Sequence, residues 1–245
     1  MTVLQSLLDS VRTQDRRFII YRPTAERLHE QWFRNHNVDV EYRPLPAGSP
    51  GSFLVIERDG AFAGAIGLDD LDTLLQSPIV VPDRLSEVTE GYQVLFDVLS
   101  DTVFTAMSRR ELLVVSREIE DRAYRVGTGT LRVSFQKFSA FRSQIGVYRS
   151  LAHETDLTIH IYAHPDWTPP ELEGVTYHRL AADPPERYWA LAFTGGPTEM
   201  QASGLLAREA PSDAYTGFWT NDPALVSSLC SGLTSFDDRA EQDRS

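Results

Sequence analysis

The sequence holds one cysteine, three methionines, a single lysine and no long apolar run. With Cys230 alone, an intrachain disulfide and a cysteine metal cage are both excluded, which fits a reducing compartment and predicts a cytoplasmic protein. No stretch approaches the roughly 18 apolar residues that a membrane helix needs. The N-terminal "MTVLQSLLDSVRTQD" mixes acids and polar residues into its apolar spacing, so neither a signal peptide nor a membrane span is expected. Lys137 is the only lysine among 23 basic residues, set against 35 acidic ones, and the net charge is −12. Without a basic run, direct nucleic-acid binding is excluded, because clustered Lys and Arg carry that affinity. An acidic chain that has exchanged Lys for Arg is what a protein working in molar salt requires, since screening makes its self-repulsion tolerable. A halophilic source is therefore the preferred reading, over a high-GC genome encoding an ordinary acidic protein.

What is present can fold. At 245 residues and 42% apolar content the chain can bury a sizeable core. Leu4, Leu7, Leu8 and Val11 recur at helical spacing, "RRFIIY" reads as a strand, and Ala25, Leu28 and Trp32 share a helical face after Pro23. "VDVEYRPL" is extended, and "SFLVIERDGAFAGAIG" is a hairpin around Asp59-Gly60. Leu68, Leu71, Leu74 and Leu75 make a helix ending before Pro78, and the prolines of "SPIVVPDR" mark a boundary.

From there helices and strands alternate. Val88, Tyr92, Leu95 and Leu99 line a helix, "TVFTAM" is a strand, and Ser108 with Glu111 forms a capping box. The helix that follows is predicted to bury Leu112, Val115, Ile119 and Ala123. Its wet side is predicted to pair Arg117 with Asp121 and Glu118 with Arg122. "TGTLRVSF", a helix over "FSAFRSQIGVYRSLAHE" and "LTIHIYAH" come next. "VTYHRL", "RYWALAFTG", "MQASGLLARE" and "AYTGFWT" then suggest an antiparallel extension, and Asp222-Pro223 starts a last helix. The expected fold class is α/β of mixed α+β character: a central mixed sheet flanked by helices, with that antiparallel C-terminal extension and a small N-terminal α/β lobe. The expected organisation is an N-terminal helix/hairpin lobe over 1–82, the main domain over 83–236 and a frayed polar tail over 237–245.

The stretch "TIHIYAHPDW" raises the question of a metal. His160 and His164 share a strand face but stand about 13 Å apart at about 3.3 Å per residue, too far for one ion. His29, His36, His153 and His178 add no ligand spacing, so neither a metal nor a cofactor is expected. The expected arrangement is a strand with Ile159, Ile161 and Ala163 inward and the polar set outward. No Gly-x-Ser-x-Gly elbow is present, and Cys230 falls on an apolar helical face with Val226, Leu229 and Leu233, where a thiol is inert. The glycines of "RVGTGT" and "FTGGPT" do not lead from a strand into a helix, as a phosphate cradle would. What remains is position. In α/β sheets ligands sit beyond the carboxyl ends of strands, and two strands end there in unusual chemistry. If they are neighbours, Gln136, His164, Asp166 and Trp167 converge on one crevice; a plain Pro-Asp turn with an aromatic plug is the alternative.

"VSFQKFSAFRSQIGVYRSLAHETDLTIHIYAHPDW", followed by "YWALAF", "LLARE" and "GFWTNDPALV", resembles the DICT domain, a sensory module associated with diguanylate cyclases and two-component systems. The likeness runs from about Glu87 to Leu233. Its distinctive pieces are Phe135-Gln136, the run Tyr148 to Ala152, Pro165-Asp166, and Gly217-Phe218-Trp219 before Asp222-Pro223. The family brings no catalytic residues to carry over. The resemblance implies signal input, and the lack of a cyclase or kinase signature predicts a free-standing sensor with a separate output partner.

The leading expectation is a non-enzymatic sensory domain that binds a small ligand or a partner protein and relays a conformational change. Its candidate contacts are Phe135, Gln136, Phe138, His164, Asp166, Trp167 and Trp219. Expected partners are a kinase, transducer or regulator, with pairing of two copies through the first helix also open. The alternatives are an adaptor with no small ligand and a hydrolase using His164 and Asp166.

Overall fold

The computed structural model describes residues 3–10, 16–23, 33, 39–46, 48, 51–58, 60–69, 96, 100, 103–180, 188–210 and 214–242. Helix α1 (Val3–Ser10) is followed by β1 (Arg16–Arg22), β2 (Asp39–Pro44), β3 (Phe53–Arg58) and β4 (Ala61–Gly67). These four strands form one sheet in the order β2-β1-β3-β4, parallel between β1 and β2 and antiparallel elsewhere. Gly60, at φ 78°, supplies the left-handed residue of the β3–β4 turn. The helices expected around Ala25, around Leu71 and around Tyr92, and the boundary at "SPIVVPDR", lie outside the described residues.

The remaining strands form a second sheet of seven, ordered β5-β11-β10-β9-β6-β7-β8. The chain enters at β5 (Val103–Ser108), and α2 (Arg109–Val126) then carries it across the sheet to β6 (Thr128–Lys137). Ser108 begins α2 with the expected capping box: its backbone N–H donates to Glu111 Oε2 at 2.7 Å, and the Glu111 N–H donates to Ser108 Oγ at 3.3 Å. After β6 come α3 (Phe138–Phe141), a 3-10 turn (Arg142–Gln144), α4 (Ile145–Glu154) and β7 (Asp156–His164), parallel to β6. The single helix expected over 138–154 is thus broken at the 3-10 turn.

β8 (Val175–Arg179) pairs parallel with β7, so "VTYHRL" does not belong to the antiparallel extension. That extension is β9 (Tyr188–Phe193), β10 (Ser203–Glu209) and β11 (Ala214–Thr220), a meander that fills the space between β6 and β5. Helix α5 (Pro223–Gln242) closes the chain, with the Ala224 N–H donating to Asp222 Oδ1 at 2.8 Å. It runs through most of the polar segment expected to fray, because its apolar stripe of Val226, Leu229 and Leu233 is anchored on the sheet.

Helices lie on both faces of the large sheet. On one, α2 and α4 pack with Leu131, Val133, Ile159, Ile161 and Leu205, in a core cluster that also takes in Phe18, Ile20, Leu54 and Ile56 of the smaller sheet. On the other, α1 and α5 cover Tyr162, Ala190, Leu206 and Phe218. Ile159, Ile161 and Ala163 point inward as expected, but the other side of β7 is not a wet face: Tyr162 is buried under the second layer. Cys230 packs half-buried in that layer, and burial pushes its thiol pKa up, away from the reactive thiolate.

The largest correction concerns α2. Leu112, Val115, Ile119 and Ala123 are buried as expected, yet so is every residue from Val115 to Ala123. Nine consecutive buried positions exceed two helical turns, so the helix is covered all round and has no wet side there. Arg117 pairs with Glu120 instead of Asp121, while Asp121 pairs with Arg125. Glu118 does reach Arg122, at 3.7 Å. Arg122 also donates to Asn221 Oδ1 at 3.0 Å and stands 5.5 Å from the Phe96 ring.

Close packing of the meander makes Gly217 indispensable. A Cβ there would fall 2.1 Å from Leu206 O and 2.7 Å from Ala207 Cα, whereas a Cβ on Gly60 would meet nothing within 4 Å. Gly217→Ala is expected to cost about 3 kcal/mol through overpacking, and Gly60→Ala roughly 1–2 kcal/mol from its left-handed backbone alone. Urea denaturation of the two variants checks that order, and a reversed order would contradict the packing described.

Candidate functional site

The carboxyl ends of β5, β6 and β10 lie at the same edge of the large sheet, beside the starts of the antiparallel β9 and β11. A cavity of about 450 Å³ opens there. Helix α2 supplies Arg109, Leu113, Ser116, Arg117 and Glu120, whose spacing places them on one helical face. Strand β6 adds Val133 to Gln136, and the α3–α4 segment adds Ala140, Ser143, Gln144 and Tyr148. From the meander come Tyr188, Trp189, Leu191 and Tyr215. Phe135 stands edge-on to Tyr148 at 6.1 Å, and Trp189 edge-on to Tyr215, also at 6.1 Å. The Tyr188 hydroxyl is engaged elsewhere, donating to Gln5 Oε1 at 3.1 Å.

The polar groups of the wall form one network. Arg117 donates to Glu120 Oε2 and to Gln144 Oε1, and the Tyr148 hydroxyl donates to Glu120 Oε1 at 2.6 Å. Gln144 Nε2 donates in turn to Ser143 Oγ at 3.0 Å. Burial works against the Arg117 charge, but the Glu120 carboxylate and the Tyr148 hydroxyl more than offset it, so the guanidinium pKa lies above its usual value. For Tyr148, burial and then the Glu120 charge hold the hydroxyl pKa well above 10.0. At the rim, the Arg109 guanidinium stands 5.7 Å from the Trp189 ring.

Of the residues expected to form a site, Phe135 and Gln136 line this cavity. The others are elsewhere. Phe138 is a core residue, edge-on to Tyr177 at 5.9 Å. Asp166 caps α3, accepting from the Ser139 N–H at 2.9 Å and the Ser139 hydroxyl at 2.5 Å, and that hydroxyl holds its carboxyl below the usual pKa. Trp167 lies 4.5 Å under the Arg142 guanidinium. His164 is half-buried opposite Lys137, and its buried Nδ1 has no hydrogen-bond partner among the described residues. Trp219 is buried against Phe96, donating from Nε1 to the Phe96 carbonyl at 2.9 Å.

The crevice uniting Gln136, His164, Asp166 and Trp167 does not form, even though β6 and β7 are neighbours. The pairing of β6 with β7 shifts register between Ser134 and Lys137, and Gln136 reaches the other way, donating to Glu209 of β10 at 3.3 Å. Sequence reasoning missed the α2 face, Tyr148, Trp189 and Tyr215. The repeat 109-113-116-117-120 carried the α2 signal, but it was masked by reading the helix's charges as solvated.

Sequence spacing also missed a cross-strand pair. His160 Nδ1 and His178 Nε2 lie 3.0 Å apart on parallel strands, with the His178 ring stacked on Tyr162 at 4.4 Å. No cluster of three or more metal-ligating side chains occurs among the described residues.

Tyr148 gives the site a pH signature. Below about pH 10 the hydroxyl is protonated in both folded and unfolded chains, and its contribution is intact. Above it the unfolded chain releases the proton first, so stability falls as pH rises, by about 1.4 kcal/mol per pH unit for one such group. Urea midpoints measured from pH 9 to 11.5 are expected to fall more steeply for the native protein than for Tyr148→Phe; parallel curves would remove Tyr148 as a source.

Three comparisons place the chain. A search of curated proteins finds no match. Among solved structures, a polyphosphate kinase from Porphyromonas gingivalis aligns at 10% identity over 96% of this chain and 48% of that one, with a TM-score of 0.38. This chain spans about half the length of that kinase, and so low a score carries no argument about fold or function. The model of the DICT family, described as a sensory domain in diguanylate cyclases and two-component systems, matches residues 92–210. Every cavity residue except Tyr215 falls within that span, and this part of the chain belongs to the DICT family of sensory domains.

Proposed function

We propose that the chain is a non-enzymatic sensor, that the cavity between α2, α3–α4 and the β6–β9–β11 edge binds its stimulus, and that α2 relays occupancy to a signalling partner. The observation that carries this reading is the cavity itself. Its volume of about 450 Å³ suits a small organic ligand, and its wall is mostly apolar and aromatic with a few convergent polar groups. The non-enzymatic part rests on the state of those groups. Tyr148 is committed to Glu120, Glu120 to Arg117, and Arg117 to Gln144, so the network supplies orientation and binding, without a nucleophile held by a base.

The test is to fill the cavity. Ala140 is half-buried on the short α3, and Ala140→Phe places a ring in the space while leaving every residue of the charged network unsubstituted. A ligand at a hundred times its Kd stabilises a fold by about 2.7 kcal/mol. Native protein is expected to release a bound small molecule on denaturation, or to show a ligand-dependent rise in Tm within a metabolite library. Ala140→Phe is expected to keep its circular dichroism spectrum and lose that response. An equal response in both proteins would move the binding site away from this cavity.

A further inference from the structure

We infer that the ligand of this cavity is a flat aromatic molecule bearing hydrogen-bond acceptors, such as a ring carbonyl or a carboxylate. The inference rests on the cavity being the sensory site and adds the chemistry of what it takes.

Flatness follows from the wall. Five aromatic side chains, Phe135, Tyr148, Tyr188, Trp189 and Tyr215, come from four different elements, and the pairs Phe135–Tyr148 and Trp189–Tyr215 stand edge-to-face rather than face-to-face. A ligand among such rings meets aromatic surface on several sides. That arrangement favours a planar π-system, which can stack on one and accept the edge of another at centroid separations of about 4.5–7 Å. A saturated molecule of equal volume gains the burial but not these contacts, worth about 0.5–1.5 kcal/mol per pair.

The need for acceptors follows from a count of the polar groups. Each acceptor oxygen of the network already takes a bond: Glu120 Oε2 and Gln144 Oε1 from Arg117, and Glu120 Oε1 from Tyr148. The donors exceed them. A guanidinium carries five N–H groups, and Arg117, only 5% exposed, spends one on Glu120 and one on Gln144, with no further partner among the described residues. Arg109 stacks at the rim over Trp189 and adds a second guanidinium to the lining. The two arginines face a single lining carboxylate, in a chain whose net charge is −12. Glu209 stands beside the mouth through Gln136 and sets a limit on the excess: it disfavours a multiply charged anion and leaves one carboxylate or neutral carbonyls as the matching groups.

Three probes separate the parts of the inference by isothermal titration and thermal shift: 2-naphthoate, cyclohexanecarboxylate and 2-(aminomethyl)naphthalene. The first has both plane and acceptor, the second lacks the plane, and the third offers donors only. 2-Naphthoate is expected to bind at least tenfold more tightly than either of the others. Arg109→Gln, at an exposed rim position, is expected to weaken it about three- to tenfold without lowering Tm, and Ala140→Phe to abolish it. Tight binding of the cyclohexane acid would overturn planarity, and tight binding of the amine would overturn the acceptor requirement, while both would leave the cavity as the site if Ala140→Phe removed them. Should none of the three bind while library compounds of other shapes do so through the cavity, the ligand class is wrong and the site stands. Should nothing at all respond to Ala140→Phe, both fail together.

Discussion

The fold around the cavity depends on one ion pair kept out of water. Arg117 and Glu120 lie one helical turn apart on α2 and are 5% and 2% exposed, a setting in which neither charge is tolerable without the other. Removing one partner of such a buried pair costs about 3–5 kcal/mol. Exposed pairs such as Arg17 with Glu41 on the small sheet contribute between about 0 and 1 kcal/mol. The difference identifies what organises the structure. Because Glu120 also accepts from Tyr148 and Arg117 also donates to Gln144, the pair ties α2 to α4 and to the turn before it. The 3-10 turn that interrupts the expected long helix is therefore a fixed element of the cavity wall.

Sheet topology explains why there is a space to enclose. β5 and β6 run in the same direction but stand at the edge and in the middle of the sheet, with three strand positions between them. α2 bridges that distance, and the β9–β11 meander fills the gap from the other direction of the chain. Each meander strand that arrives at the carboxyl edge of β6 does so by its first residues, which is where Tyr188, Trp189 and Tyr215 fall. Residues distant in sequence are thereby gathered at one end. The tightness of the meander, seen at Gly217, holds their rings in place.

Much of this was legible in the sequence. Alternation and helical periodicity located α1, the β3–β4 hairpin, the capped start of α2, strands β5 to β11 and the start of α5, because each of those signals is local. What was not legible depended on partners far along the chain. The charges of α2 read as a wet face because i,i+4 spacing is the same whether water or another layer lies over it; only what packs there, such as Phe96 against Arg122, makes the difference. Likewise "VTYHRL" looks like any edge strand, and its parallel pairing with β7 is set by the crossover that precedes it. The crevice was expected between β6 and β7, whereas the cavity opens on the other side of β6, and the register shift at Ser134 to Lys137 leaves no mark in composition. His160 and His178 are 18 residues apart, so no spacing rule joins them, whereas parallel strands in register bring them within hydrogen-bonding distance.

Burial on all sides also bears on how a sensor of this kind would report occupancy. A helix with one wet face can adjust to a ligand by tilting into solvent and disturbing little else. α2 has no such freedom from Val115 to Ala123, and interiors packed at near-crystalline density pass displacement on to their neighbours. The cavity face of α2 carries Arg117 and Glu120, while the next residues in the helix, Glu118, Asp121 and Arg122, are bonded to Arg125 and to Asn221 at the end of β11. Asn221 directly precedes the Asp222 cap of α5, so a shift of α2 on the cavity side has a bonded route to the opposite face of the sheet. Spatial continuity does not by itself amount to coupling. It does give α2 one bonded link of this kind, from Arg122 to Asn221, which joins the cavity helix to the residue before the cap of the last helix.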